Sequence, residues 1–105
     1  MDFGLRQQDL KEIVAILKKF SAVEEAIIFG SRAKGTYRKG SDIDIAVKGR
    51  EIDQGVIAAL SDQLNEESAT PYFFDVVHFE EISEQELIEH INRVGQSIYS
   101  SEGAA

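Results

Sequence analysis

Hydrophobic residues recur along this chain with two different periods, one helical and one extended. Over residues 7–20 they return every three or four positions, which predicts an amphipathic helix. Similar stripes predict further helices over residues 53–67 and 83–95. Asp53 is the expected cap of the second of these helices, and Ser83-Glu84-Gln85-Glu86 is the expected capping box of the third, which Gly95 ends.

Three short apolar, β-branched runs lie between these stripes, at residues 23–29, 43–47 and 72–77, and they are typical of strands. With a very short helix at residues 31–34, the order reads αβαβαβα, which predicts helices packed on a small sheet. The pattern does not specify the strand order. At 105 residues, the chain is expected to form one domain over residues 1–105.

The first strand pattern stops at Gly30, and Ser31 is the expected cap of the short helix. Such a turn directs N–H groups, a hydroxyl and a helix dipole at one point, where anions bind. Positive charge follows in the loop, at Arg32, Lys34, Arg38 and Lys39. The residues therefore predict a phosphate site, although a ligand-free turn beside a solvated basic surface remains open.

The second strand pattern alternates between apolar and acidic positions. Asp42 and Asp44 are expected on one face, opposite Ile43, Ile45 and Val47. Two neighbouring carboxylates are costly to bury unpaired, and a hard divalent cation such as Mg²⁺ removes that cost. A metal site is therefore expected on this face.

Asp75 is the only charged residue within the third strand pattern, where aspartate is uncommon. It is the expected third carboxylate of the metal site. The alternative for Asp44 and Asp75 is a pair of charges on a solvated sheet face.

Gly30-Ser31, Asp42-x-Asp44 and Asp75, in this order and each joined to a strand, resemble the minimal nucleotidyltransferases of the DNA polymerase β superfamily. The resemblance covers nearly the whole chain, including the run Gly-Ser-Arg-Ala-Lys-Gly and the closing residues 93–99. It implies an α/β (α+β) fold with a small mixed β-sheet, helices mainly on one face and the acids on the more open face.

The resemblance also implies a reaction, a two-metal displacement at the α-phosphorus of a nucleoside triphosphate, with ATP as the first candidate. Asp42 and Asp44 would hold two Mg²⁺ ions, and Asp75 would complete the second ion's coordination and serve as general base. The implied phosphate-binding residues are Gly30, Ser31 and, as weaker candidates that also fit plain surface charge, Arg32 and Lys34.

Stand-alone members of the family resemble antitoxins that pair with a small helical HEPN-type protein, in some cases modifying its tyrosine with AMP. The resemblance therefore implies such a partner, contacted through the last helix or residues 98–99. The alternative is a catalytically silent binding module that sequesters a HEPN-type partner. A homodimer is equally allowed, and a template-directed polymerase is disfavoured by size and charge.

Composition and motif spacing disfavour several other classes of protein. The net charge of −8 disfavours general nucleic-acid binding, and six of the eleven Lys and Arg lie between Arg32 and Arg50, around the proposed site. Gly30 and Gly35 have Walker A spacing, but Thr36-Tyr37 replaces the required Lys and Ser/Thr. Rossmann and EF-hand patterns are also missing from the sequence.

The chain has no cysteine and no run of membrane-spanning length, so a cytoplasmic protein without thiol chemistry is expected. Two histidines without cysteine make a zinc site improbable. His78 follows the third strand pattern, where a place near the site is open to it, whereas His90 is predicted to be a surface or packing residue.

Overall fold

The computed structural model describes residues 3–38 and 40–101. Most of the predicted helices and strands form close to their expected positions. Their bounds are α1 Gln7–Lys18, β1 Glu25–Phe29, α2 Ser31–Lys34, β2 Ile43–Lys48, α3 Gln54–Asp62 with a π-helical turn at Gln63–Glu67, β3 Phe74–His78 with a 3-10 turn at Phe79–Glu81, α4 Gln85–Val94 and β4 Gln96–Ser100.

The strands form one mixed sheet in the order β3-β2-β1-β4. Strand β1 pairs antiparallel with both β2 and β4, and β2 pairs parallel with β3. The expected mixed sheet is therefore confirmed. Strand β4 was not predicted, because its sequence Gln96-Ser97-Ile98-Tyr99-Ser100 contains no apolar run and follows α4 almost directly.

One face of the sheet carries the larger hydrophobic core. It is built from alternate residues of the strands together with the apolar stripes of α1 and α3, and its fully buried members include Ile13, Leu17, Ile28, Ile43, Ile45, Val47, Leu60, Leu64 and Phe74. The alternation predicted for β2 is therefore confirmed: Ile43, Ile45 and Val47 all point into this core.

The opposite face carries a smaller cluster of buried side chains, Ile27, Phe29, Ala46 and Ile91. Because Ile91 belongs to α4, this helix packs on the second face, while α1 and α3 cover the first. Helices therefore cover one face fully and the other only in part. The residues of β2 and β3 that alternate with the larger core, Asp44 and Asp75, lie on this more open face.

The helix ends agree only partly with the sequence pattern. Asp53 caps α3 as predicted, since its side chain accepts a hydrogen bond from the Val56 N–H at 2.9 Å. The expected capping box is wrong, because α4 begins after Glu84 without a side-chain cap. Gly95 does end α4, but in an extended conformation, and a Cβ there would overlap the carbonyl oxygen of Ile91. No helix in residues 3–38 and 40–101 is long and apolar enough to cross a membrane.

Candidate active site

The parallel pairing of β2 and β3 brings two acids side by side. Asp44 is the direct partner of Asp75 in the register, so their Cα atoms lie on neighbouring strands and their side chains leave the same face. Asp42 comes just before β2, two residues from Asp44. Asp44 is half-buried, whereas Asp42 and Asp75 are exposed. The three predicted acids thus gather at one place on the more open face.

Asp44 is in an unfavourable position for a carboxylate. Its pKa is raised, first by burial and then by the negative charges of Asp75 and Asp42. Within residues 3–38 and 40–101, no salt bridge joins the Asp44 carboxylate to a basic side chain. The ionised form therefore lacks a compensating cation from the described part of the chain.

The turn at Gly30 lies directly against Asp44. Gly30 has φ 75° and ψ −153°, a conformation that residues with a side chain rarely adopt. A Cβ at this position would also overlap the Oδ2 atom of Asp44. Only glycine allows the backbone to pass this close to the carboxylate, so the turn and the acids form one site.

The short helix α2 starts differently from the sequence prediction. Ser31 is its first residue and Gly30 is its cap, so the expected Ser31 cap is wrong. Lys34 ends the helix with an exposed side chain. Ser31 and Lys34 therefore remain available for a ligand at the turn.

Arg32 does not lie where the expected phosphate contact would require it. It is buried, at 2% exposure, and its Nε and Nη2 atoms donate to the Ser41 carbonyl oxygen at 3.1 and 2.8 Å. Its Nη1 atom donates to the Phe3 carbonyl oxygen at 2.9 Å. The guanidinium lies over the rings of Tyr37 and Tyr72, 5.1 and 4.9 Å from their centroids. Arg32 therefore ties α2 to the loop before Asp42 rather than facing a phosphate.

His90 reaches the site from α4, a position that the sequence analysis missed. Its Nε2 atom accepts a hydrogen bond from the Gly30 N–H at 3.2 Å. Its ring meets that of Phe29 edge to face, with centroids 6.1 Å apart. His90 and Gly30 are 60 positions apart, and no local sequence pattern links them. The contact arises only because α4 packs on β1.

An open cavity of about 610 Å³ lies between α3 and the edge strand β3. Asp75 and His78 line it together with the exposed ring of Phe73 and with Ile57 and Val76. His78 therefore lines the same cavity as Asp75.

The donor set suits a hard divalent cation completed by a substrate. Within the part of the chain that the structure describes, no three His, Cys, Asp or Glu side chains converge closely enough to hold a metal ion. Mg²⁺, however, usually takes one or two carboxylates together with water and substrate phosphates. The uncompensated Asp44 beside Asp75 provides oxygen ligands of that kind.

A glycine turn thus lies against paired carboxylates on an open sheet face, an arrangement that would suit a phosphate ligand and a divalent cation. Over residues 11–103 the sequence matches the family described as Polymerase beta, Nucleotidyltransferase. The chain therefore belongs to this family and is a nucleotidyltransferase of this class. No curated protein matches it significantly.

Several solved structures share the fold. A toxin-antitoxin crystal structure with AMP-PNP is 24% identical over 90% of this chain and 76% of that chain, with a TM-score of 0.73. The toxin-antitoxin MntA-HepT matches at 21% identity over 94% and 76%, with a TM-score of 0.69. A complex of tri-AMPylated Shewanella oneidensis HEPN toxin with MNT antitoxin matches at 20% over 95% and 76%, with a TM-score of 0.69.

Proposed function

We propose that this protein transfers AMP from ATP to a hydroxyl group of a HEPN-type partner protein, with Mg²⁺, and that it is the antitoxin of such a pair. The observation that carries the proposal is the contact of the Gly30 backbone with Asp44, which is itself paired with Asp75. A phosphate turn and an uncompensated carboxylate pair at one point are what nucleotidyl transfer requires.

In the proposed reaction, the acceptor oxygen attacks the α-phosphorus of ATP. A phosphorus–oxygen bond to the acceptor forms, the bond from the α-phosphorus to the bridging oxygen breaks, and pyrophosphate leaves with the electron pair. Asp75 takes the proton of the acceptor hydroxyl, since it is exposed at the cavity beside β3. Gly30 and Ser31 bind the β- and γ-phosphates, and Lys34 adds positive charge nearby.

Asp44 and Asp75 would hold Mg²⁺ in this site together with the substrate phosphates, and Asp42 would add negative charge beside them. Bound there, the ion would neutralise the triphosphate and lower the pKa of the acceptor hydroxyl. Arg32 is left out of the phosphate contacts, because it is buried and its Nε, Nη1 and Nη2 atoms each donate to a backbone carbonyl. Its role in the proposal is to hold the Ser41 carbonyl and thereby the start of β2.

Two observations support the choice of ATP and of a HEPN-type partner, and a third bears on the compartment. Structures with this fold include a toxin-antitoxin with AMP-PNP and an AMPylated HEPN toxin with its MNT antitoxin. The chain is acidic, with net charge −8, which favours a basic protein surface over a nucleic acid. The absence of cysteine fits a cytoplasmic reaction.

The test is label transfer from α-labelled ATP in the presence of Mg²⁺, with and without a HEPN-type protein encoded beside this one. We expect labelled partner with the wild type and none with Asp42→Asn/Asp44→Asn. Asp62→Asn is the matched control, because Asp62 is an exposed acid at the end of α3, outside the site.

Label transfer that survives in the double variant would contradict the proposal. A tight complex without any labelling, unchanged by the double substitution, would instead support the silent binding module. Mass measurement of the isolated protein would show in the same samples whether it forms a homodimer.

A further inference from the structure

His90 contacts the phosphate turn from the opposite end of the chain. The Gly30 N–H donates to its Nε2 atom at 3.2 Å. The imidazole is partly buried, and the edge-to-face contact with Phe29 fixes the plane of the ring. A side chain held in this way on a helix is directed at one backbone group.

The contact requires a hydrogen-bond acceptor. Because Nε2 accepts, the neutral ring must carry its proton on Nδ1. Lysine or arginine cannot replace it, since neither side chain has an acceptor. His90 thus supplies a partner for a backbone N–H at the start of α2, where a helix cannot provide one.

The hydrogen bond also constrains the glycine itself. Gly30 has φ 75° and ψ −153°, and glycine can adopt many other conformations at little cost. Asp44 closes one side of this backbone, since a Cβ on Gly30 would overlap Oδ2. His90 holds the peptide that joins Phe29 to Gly30 from α4. The direction of the next N–H, that of Ser31, depends on both constraints.

Helix α4 is itself firmly placed. Its residues Leu87 and Ile91 pack with Ile27 and Phe29 in the smaller hydrophobic cluster. His90 lies on the same side of the helix, one position before Ile91. The imidazole is therefore carried by a helix that is anchored independently of the Gly30 bond.

We infer that His90 is a positioning residue of the nucleotide site, which holds the Gly30 peptide so that the turn presents Ser31 to the triphosphate. This inference rests on the proposed function and extends the site to α4. It assigns a role to the last helix beyond covering the sheet.

The test compares three variants by calorimetric binding of ATP with Mg²⁺ to the full chain. His90→Ala should raise the Kd for ATP about tenfold, the size expected for the loss of one hydrogen bond. His90→Gln keeps an acceptor at similar reach and should return the Kd to within about threefold of the wild type. Leu10→Ala is the packing control, since Leu10 lies on α1 and packs against the larger core on the other face of the sheet; it should lower Tm while leaving the Kd unchanged.

The Gly30 amide resonance in a ¹H–¹⁵N spectrum gives a second readout. We expect it to shift in His90→Ala, to return toward its wild-type position in His90→Gln, and to stay in place in Leu10→Ala. An unchanged Kd in His90→Ala, or an equal rise in Leu10→Ala, would overturn the inference. So would a wild type that binds no ATP.

The ATP-binding experiment and the label-transfer experiment test the two proposals separately. A wild type that binds ATP with these variant effects but labels no acceptor would contradict the proposed function and leave the role of His90 standing. If the wild type transfers AMP but His90→Ala does not change the Kd, the proposed function is supported and the inference about His90 is overturned.

Discussion

Two aspartates of this protein, one in the first turn of α1 and one near the start of β2, have opposite surroundings. Asp9 is buried and accepts hydrogen bonds from the Nε and Nη2 atoms of Arg6 at 3.0 and 2.9 Å. These bonds hold the pKa of Asp9 below its usual range. Asp44 is half-buried beside Asp75 and Asp42, and its pKa is raised. The same side chain is thus compensated in one region and left uncompensated in the other.

The difference separates structure from function. At α1 the chain supplies its own cation, so Asp9 helps to fasten the helix start. At β2 the chain gathers like charges beside the Gly30 turn, an arrangement that costs stability in the free protein and that a bound cation would relieve. An uncompensated carboxylate is therefore the better indicator of the site than acidity alone.

The largest expected effect is on catalysis. Asp44→Asn keeps the size of the side chain but removes its charge, so AMP transfer should fall by about 100-fold or more. Asp9→Asn should leave the rate per folded molecule unchanged, because Asp9 lies at the start of α1 with its partner Arg6. Initial rates of label transfer check both variants, and equal losses would remove the distinction between the two acids.

Stabilisation by Mg²⁺ should depend on Asp44 and not on Asp9. An ion present at ten times its Kd adds about 1.4 kcal/mol to the free energy of unfolding, or several degrees in Tm. We expect this increase in the wild type and in Asp9→Asn, and its loss in Asp44→Asn. Thermal melts with and without Mg²⁺ measure it. A similar increase in Asp44→Asn would place the ion elsewhere.

Asp9→Asn should lower the free energy of unfolding by about 1 kcal/mol, since a charge-assisted hydrogen bond is replaced by a neutral one. Asp44→Asn should instead raise it slightly in the absence of Mg²⁺, because a half-buried charge next to two others is removed. Denaturation in urea at pH 7 gives both values. A destabilised Asp44→Asn would show that this carboxylate has a structural role.

The smallest effect is the opposite pH dependence of the two acids. The folded pKa of Asp9 lies below the ordinary 3.8, so its stabilisation is present above pH 3.8 and is lost as the pH falls through the lowered value. The folded pKa of Asp44 lies above 3.8, so its penalty is present at neutral pH and disappears as the pH falls through the raised value to 3.8.

The free energy of unfolding of Asp44→Asn should therefore exceed that of the wild type by less as the pH falls. The free energy of unfolding of Asp9→Asn should approach that of the wild type only below pH 3.8. Partial exposure of Asp44 screens its charge and keeps the first effect small. Urea denaturation across this pH range measures both trends. Parallel trends for the two variants would contradict the comparison.

Local pattern was sufficient for much of the fold. Apolar periodicity predicted α1, α3 and α4 and the three strands β1, β2 and β3, because each of these elements buries one regular stripe or face. The alternation within β2 likewise predicted that Asp44 leaves the face opposite Ile43 and Ile45. Strand β4 has no such pattern, since its first two residues are exposed and its last three are all only partly buried.

By itself, the sequence determined which residues are the candidates for the chemistry: the turn at Gly30 and the acids Asp42, Asp44 and Asp75, of which Asp44 and Asp75 are unusual for the strands that hold them. Only the tertiary structure decided that Asp75 stands directly beside Asp44, through the parallel pairing of β2 and β3.

Only the tertiary structure, likewise, shows that Arg32 donates a hydrogen bond to the Ser41 carbonyl oxygen and that His90 accepts one from the Gly30 N–H. The physical reason is the distance along the chain. Periodicity reports whether a side chain faces the core or the solvent, but a hydrogen bond between residues 60 positions apart depends on how separate elements pack.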